Sequence, residues 1–179
     1  EYFLNRSLSY QTLVDPETKY MRGRDSKGEW RTPFSPIAYQ GPGSVHGWGD
    51  ITEGFTMQYT WYVPHDVQGY INLAGKKLFQ KRLDELFTVE LPEDIPGAHD
   101  IQGRIGGYWH GNEPCHHVAY LYNYLGQPWK CQYWVREITS RFYGNEPGSL
   151  SGNDDCGQMS AWYMFNCLGF YPVAPSCNF

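Results

Sequence analysis

The stretch His110-Gly-Asn-Glu-Pro-Cys-His-His117, running on into Val118-Ala-Tyr-Leu-Tyr-Asn-Tyr-Leu125, decides how this chain is read. Its first eight residues hold three imidazoles, a thiol, a carboxylate and an amide, and an apolar, aromatic run follows directly. Pro114 suits the first position of a helix, where its fixed φ is already helical and its missing N–H is not needed. The spacing predicts a helix over residues 114–125 with the polar cluster at its mouth. Backbone amides and the helix dipole favour anions and oriented ligands there. Gly152-Asn-Asp-Asp-Cys-Gly157 stands in the same relation to a second apolar segment, residues 158–168. Two such loops point to a helical fold whose chemistry rests on carboxylates.

Outward from these loops, apolar spacing predicts helices over residues 2–13, 67–74, 76–87 and 128–143, with another starting within 55–62. Gly75 ends one helix, Pro128 opens another, and Gly169 stops the segment 158–168 as a C′ residue. Residues 18–49 are rich in Gly, Pro, Ser and charge, yet Trp30, Phe34, Tyr39, His46 and Trp48 argue against disorder. Residues 91–108, with Pro92, Pro96 and four glycines, read as a loop. About six helices joined by alternately short and long loops, with little strand, make the fold mainly α. The expected architecture is a helical-hairpin array with function in the long loops.

A length of 179 residues suits one domain or part of a larger one. Glu1-Tyr-Phe-Leu4 reads as the inside of a helix, and Pro175-Ser-Cys-Asn-Phe179 has no terminating element after it, so residues 1–179 are expected to be a single fragment. The formal net charge of −5 argues against a nucleic-acid partner. No run of eighteen apolar residues predicts a membrane span, and the opening residues of this expected fragment carry no signal-peptide pattern. Seven Trp and fifteen Tyr offer flat faces for stacking on sugar rings; an aromatic-rich core accounts for them equally well. The five cysteines, Cys115, Cys131, Cys156, Cys167 and Cys177, form no C-x-x-C pair and leave the redox compartment open.

Three segments carry chemistry. Glu53 lies between apolar Ile51 and Phe55. Desolvation there would favour its acid form, as a general acid requires, while a surface Glu at a helix start is the plainer reading. Asn112 and Glu113 offer hard oxygen ligands suited to calcium, whereas His110, Cys115, His116 and His117 offer a zinc-type set. His116 and His117 diverge by about 100° on a helix, so sharing one metal is difficult. Asp154 and Asp155 also diverge: one is expected to cap the following helix while the other faces a cleft.

Thr52-Glu-Gly54 with Gln58-Tyr59 and Val63-Pro-His-Asp66, then His110–His117 with Tyr120-Leu-Tyr122, then Gly152–Trp162 with Gly169-Phe-Tyr-Pro172, resemble in this order glycoside hydrolase family 92. Arg6-Ser7 and Phe34-Ser-Pro36 are similar to the same family, so the resemblance spans nearly the whole chain. Its members are calcium-dependent, inverting exo-α-mannosidases. The resemblance implies an N-terminal β-sandwich and a C-terminal (α/α)6 toroid, of which this chain would be the later part. It implies Glu53 as general acid and Asp155 as general base; His110, Gly111, Asn153 and Asp154 at the substrate; and Asn112, Glu113 and Asp155 as candidate calcium ligands. A mannose-containing glycan and the β-sandwich domain are the implied partners, in a secreted, periplasmic or cell-surface setting. Asn153 stands where some members carry Asp, and Gly111 stands where members linked to a preference for 1,2-linked mannose carry Glu. A non-catalytic calcium-dependent sugar-binding protein and a zinc hydrolase using His110, Cys115 and His116 are the competing readings.

Overall fold

The computed structural model describes residues 1–40, 49–93, 95, 98 and 102–174. The expectations for His46, Trp48 and Cys177 lie outside the described residues. The chain is mainly α, as expected. Helix α1 (Tyr2–Ser7) tightens into a 3-10 turn, Leu8–Leu13; α2 (Thr56–Tyr59), α3 (Val67–Ala74) and α4 (Lys76–Thr88) follow. Next come β1 (Arg104–Ile105) and β2 (Tyr108–Trp109), then α5 (Leu121–Tyr124), α6 (Pro128–Phe142) and α7 (Gln158–Leu168).

Local chemistry explains the well-marked ends. Asp66 caps α3 by accepting the Gly69 N–H at 3.0 Å. Gly75, at φ 87°, closes α3 and opens α4, a conformation that β-carbons disfavour. The two helices pack as a hairpin, and α4 buries Phe79, Leu83, Leu86 and Phe87 at helical spacing. Helices α5 and α6 form a second packed pair. Gly169 ends α7 at φ 86°.

Two expectations are corrected. Residues 114–125 do not form one α-helix. Two 3-10 turns, Glu113–Cys115 and Val118–Tyr120, precede the four-residue α5. The imidazoles of His116 and His117 are both buried, and they bond carbonyls of different segments, His110 and Trp61. The tighter turns meet these two demands together. The helix-mouth anion site expected there is therefore not formed. Residues 91–108 are also not wholly loop: Arg104 pairs with Trp109 and Ile105 with Tyr108 in an antiparallel hairpin. Its Gly106 (φ 58°) lies so close to α4 that a β-carbon would sit 2.7 Å from the Leu86 carbonyl oxygen. Gly107 donates to the same oxygen at 2.7 Å. Strands of two residues are too short to show an alternating pattern.

The hairpin presents Tyr108 and Trp109 to the core. Phe87 stacks on Trp134 (4.4 Å between ring centroids) and on Tyr108 (5.1 Å), while Phe55 meets Trp109 edge-on. Trp61, Trp109 and Trp162 are all buried. Much of the aromatic excess is thus core. Among the described residues no helix is long and apolar enough to cross a membrane.

Candidate active site

Three loops meet at one place: the bend before α2, the turn carrying Glu113, and the turn before α7. The Glu113 carboxyl lies beside the Asp155 carboxyl and close enough to Glu53 to feel its charge. Burial, then the Asp155 contact, pushes Glu113 up to about 7. Its Oε1 is buried and has no hydrogen-bond partner among the described residues. The Tyr59 hydroxyl joins this group beside Asn112, and burial raises it to about 12. The Asn112 side-chain amide donates to the Glu53 carbonyl oxygen at 3.4 Å, tying the first two loops together. Glu113 also lines a cavity of about 570 Å3 with Tyr62, His117, Gln158 and Tyr171.

Asp155 arrives on a strained turn. Asp155 and Cys156 have φ values of 47° and 59°, followed by Gly157 at 88°. Left-handed backbone costs a non-glycine residue about 1–2 kcal/mol, and such strain concentrates at functional sites. The two adjacent aspartates have different surroundings. Asp154 Oδ1 accepts the Ser160 N–H at 2.9 Å, and its Oδ2 accepts the Ser160 hydroxyl at 2.9 Å. Asp154 therefore ties its loop to the first turn of α7, three residues ahead of the N-cap Gly157. Asp155 is exposed and turned to Glu113, and Asn153 is exposed beside them.

His110 is fully buried and has both ring nitrogens occupied. Its Nε2 lies 2.6 Å from the Tyr143 hydroxyl, which itself donates to the Met159 carbonyl at 2.9 Å. That single hydroxyl proton is spent, so Nε2–H must donate to Tyr143, and Nδ1 accepts from Tyr108 at 2.8 Å. Burial, followed by the neighbouring His116, drives His110 down to about 2, so it stays neutral. His110 therefore sits in the core of the described residues and holds other elements in place. His116 is also saturated. Nε2 bonds the His110 carbonyl at 2.8 Å, and Nδ1 meets the Gln158 amide at 3.1 Å. With Cys115 fully buried as well, the zinc reading loses its ligands. Among the described residues no group of three His, Cys, Asp or Glu side chains forms a ready-made metal site.

The family model for the glycosyl hydrolase family 92 catalytic domain matches residues 1–179. The chain belongs to glycosyl hydrolase family 92. It is similar to a family GH92 α-mannosidase of Bacteroides thetaiotaomicron solved with mannoimidazole, at 87% identity and a TM-score of 0.96, covering 99% of this chain and 23% of that one. A family GH92 inverting mannosidase from the same organism is 34% identical, with a TM-score of 0.75, over 97% of this chain and 24% of the other. An uncharacterized secreted glycosidase of Arthroderma benhamiae is 26% identical over 96% of this chain and 22% of its own length. The chain thus spans less than a quarter of the relatives it matches.

Within this family-92 chain, Glu53 departs from its expected setting. Gly54, at φ 118° and bridged to Gln40, turns Phe55 inward onto Trp109 and leaves Glu53 exposed. The desolvated carboxyl is Glu113 instead. Gly111 is wedged between loops: a β-carbon there would lie 2.9 Å from the Gln102 carbonyl oxygen and 3.1 Å from that of Ser151. Tyr108, Tyr143 and Gln158 were missed by reasoning from sequence. Their hydroxyls and amide matter through partners far along the chain, and no local pattern announces that.

Proposed function

We propose that the protein containing this chain removes terminal α-linked mannose from glycans, N-glycans among them, by hydrolysis with inversion. The observation that carries this reading is that the Glu113 carboxyl feels both Asp155 and Glu53, each from a different loop, in a family-92 chain. An inverting glycosidase needs one carboxylic acid at the leaving oxygen and a carboxylate holding a water on the opposite face, about 6.5–9.5 Å away. Glu53 and Asp155 come from separate loops and take these roles as acid and base. Burial, then the neighbouring Asp155 carboxyl, favours the acid form of Glu113 up to about pH 7.

Calcium fits the donor set. Glu113 Oε1 is a buried oxygen without a partner among the described residues, Asp155 and Asn112 stand beside this group, and every donor is hard oxygen. Asn112, Glu113 and Asp155 would hold the ion, with waters or sugar hydroxyls completing its shell. When bound, the ion would chelate the O2 and O3 hydroxyls of mannose and favour flattening of the ring. The rest of an (α/α)6 toroid and an N-terminal β-sandwich domain would complete the pocket. The secreted relative supports export.

The test is to follow hydrolysis of an aryl α-mannoside by the full-length protein with proton NMR in calcium buffer. β-Mannose forms first under this reading. No turnover, or α-mannose first, overturns it.

A further inference from the structure

We infer that Gln158 and His116 form a positioning pair that sets the separation of the Asp155 and Glu113 carboxyls; the inference rests on the mannosidase reading. His116 Nε2–H must donate to the His110 carbonyl, because a carbonyl only accepts. In that tautomer the ring presents a bare Nδ1. Gln158 answers with its amide N–H at 3.1 Å, and the same NH2 reaches the Tyr171 hydroxyl at 3.5 Å. Gln158 is the first residue of α7, three positions after Asp155, and its backbone N–H bonds the Asp155 carbonyl at 3.2 Å. His116 lies three positions after Glu113, and its own N–H bonds the Glu113 carbonyl at 2.9 Å. The side-chain bond thus joins two backbone turns, each of which carries one carboxylate. A second tie runs parallel: the Trp162 indole N–H donates to the His116 carbonyl at 2.9 Å.

The strained backbone at Asp155 and Cys156 needs such external fixing, since left-handed residues persist only where surroundings over-determine them. Neither Gln158 nor His116 is proposed to touch the reacting atoms. Their effect passes through carboxylate geometry, where a misplacement of about 1 Å lowers rate roughly a hundredfold.

The experiment compares Gln158→Met, His116→Phe and the double variant with the native full-length protein. Met keeps the volume and helix propensity of Gln but donates no hydrogen bond. For Gln158→Met, kcat on an aryl α-mannoside is expected to fall about 10- to 100-fold, with KM within about twofold and the melting midpoint lowered by roughly a few degrees for the unpaired His116 Nδ1. The double variant is expected to be no slower than His116→Phe alone, because both changes break one bond. A native kcat in Gln158→Met, or multiplicative losses in the double variant, overturns the inference. A native protein without turnover would remove the mannosidase reading instead. Crystals of Gln158→Met then still test the pair: Glu113 and Asp155 separating supports it, and their staying in contact overturns it.

Discussion

Tyr143→Phe removes one oxygen and tests the buried network beneath the site. Its hydroxyl receives the His110 Nε2–H at 2.6 Å and donates to the Met159 carbonyl at 2.9 Å. The carbonyl belongs to the first turn of α7 and keeps its helical partner. The imidazole N–H has no such reserve, because His110 is fully buried. Shifting the proton to Nδ1 does not help. Nδ1 would then donate to Tyr108, whose own hydroxyl proton, fully buried too, would need a new acceptor. One buried donor is left unpaired in either tautomer, at a cost of about 1–3 kcal/mol. Ring packing against Trp162 survives, since Phe keeps the six-membered ring. The deficit falls on the α6–α7 contact, so native-state hydrogen exchange is the sensitive assay. Amides of α7 that open by local unfolding should exchange about 5- to 150-fold faster, the equivalent of 1–3 kcal/mol. Tyr133→Phe, on an exposed position of α6, serves as the control and should leave exchange unchanged. Unaltered α7 protection in Tyr143→Phe would refute the hydroxyl's role as the sole acceptor for His110.

In the full-length protein, Glu53→Gln should lower turnover of substrates with poor leaving groups about 10²–10⁴-fold and spare activated aryl mannosides, which need little protonation. Equal, native turnover on both substrate types would exclude Glu53 as the acid. Exhaustive chelation should abolish activity and calcium, not zinc, should restore it; activity surviving chelation, or zinc rescue alone, would contradict the ligand assignment. Calcium affinity measured by titration calorimetry should weaken as pH falls below about 7, because Glu113 then holds the proton the ion must displace, and Glu113→Gln should remove that dependence. The sign for stability is consistent. A carboxyl raised by folding contributes stability below its ordinary 4.5 and loses it as pH rises through about 7, so the calcium-free protein should lose stability over that window. The 179-residue chain alone should self-associate in sedimentation runs, since Phe3, Leu4 and Leu168 are 81%, 72% and 69% exposed. A soluble monomer would show that these faces need no cover.

The helices with both a cap and a stop were legible. The span of α3 follows from Asp66 and Gly75, and that of α7 from Gly157 and Gly169, because each end is set by one side chain or one glycine at positive φ. The segment 114–125 misled because periodicity reports which face is apolar, not which hydrogen-bond ladder forms; two adjacent buried imidazoles with separate partners decided the matter. The sequence marked Glu53 and Asp155 as an acid–base pair and Glu113 as a cation ligand, and Glu113 feels the charge of both other carboxylates. Their environments were not legible, since desolvation depends on the bend at Gly54 and on distant loops. His110 looked like a ligand in sequence and is core in space, because Tyr108 and Tyr143 claim both nitrogens.

The claim that Asp155 is the base of an inverting hydrolysis is tested most directly by Asp155→Asn in the full-length protein. The substitution keeps size and backbone tolerance, since Asn accepts left-handed φ, but removes the proton acceptor. Turnover should fall about 10²–10⁴-fold on aryl α-mannosides with good and poor leaving groups alike, because water activation is needed for both. Turnover within a few-fold of native on either substrate would contradict the account.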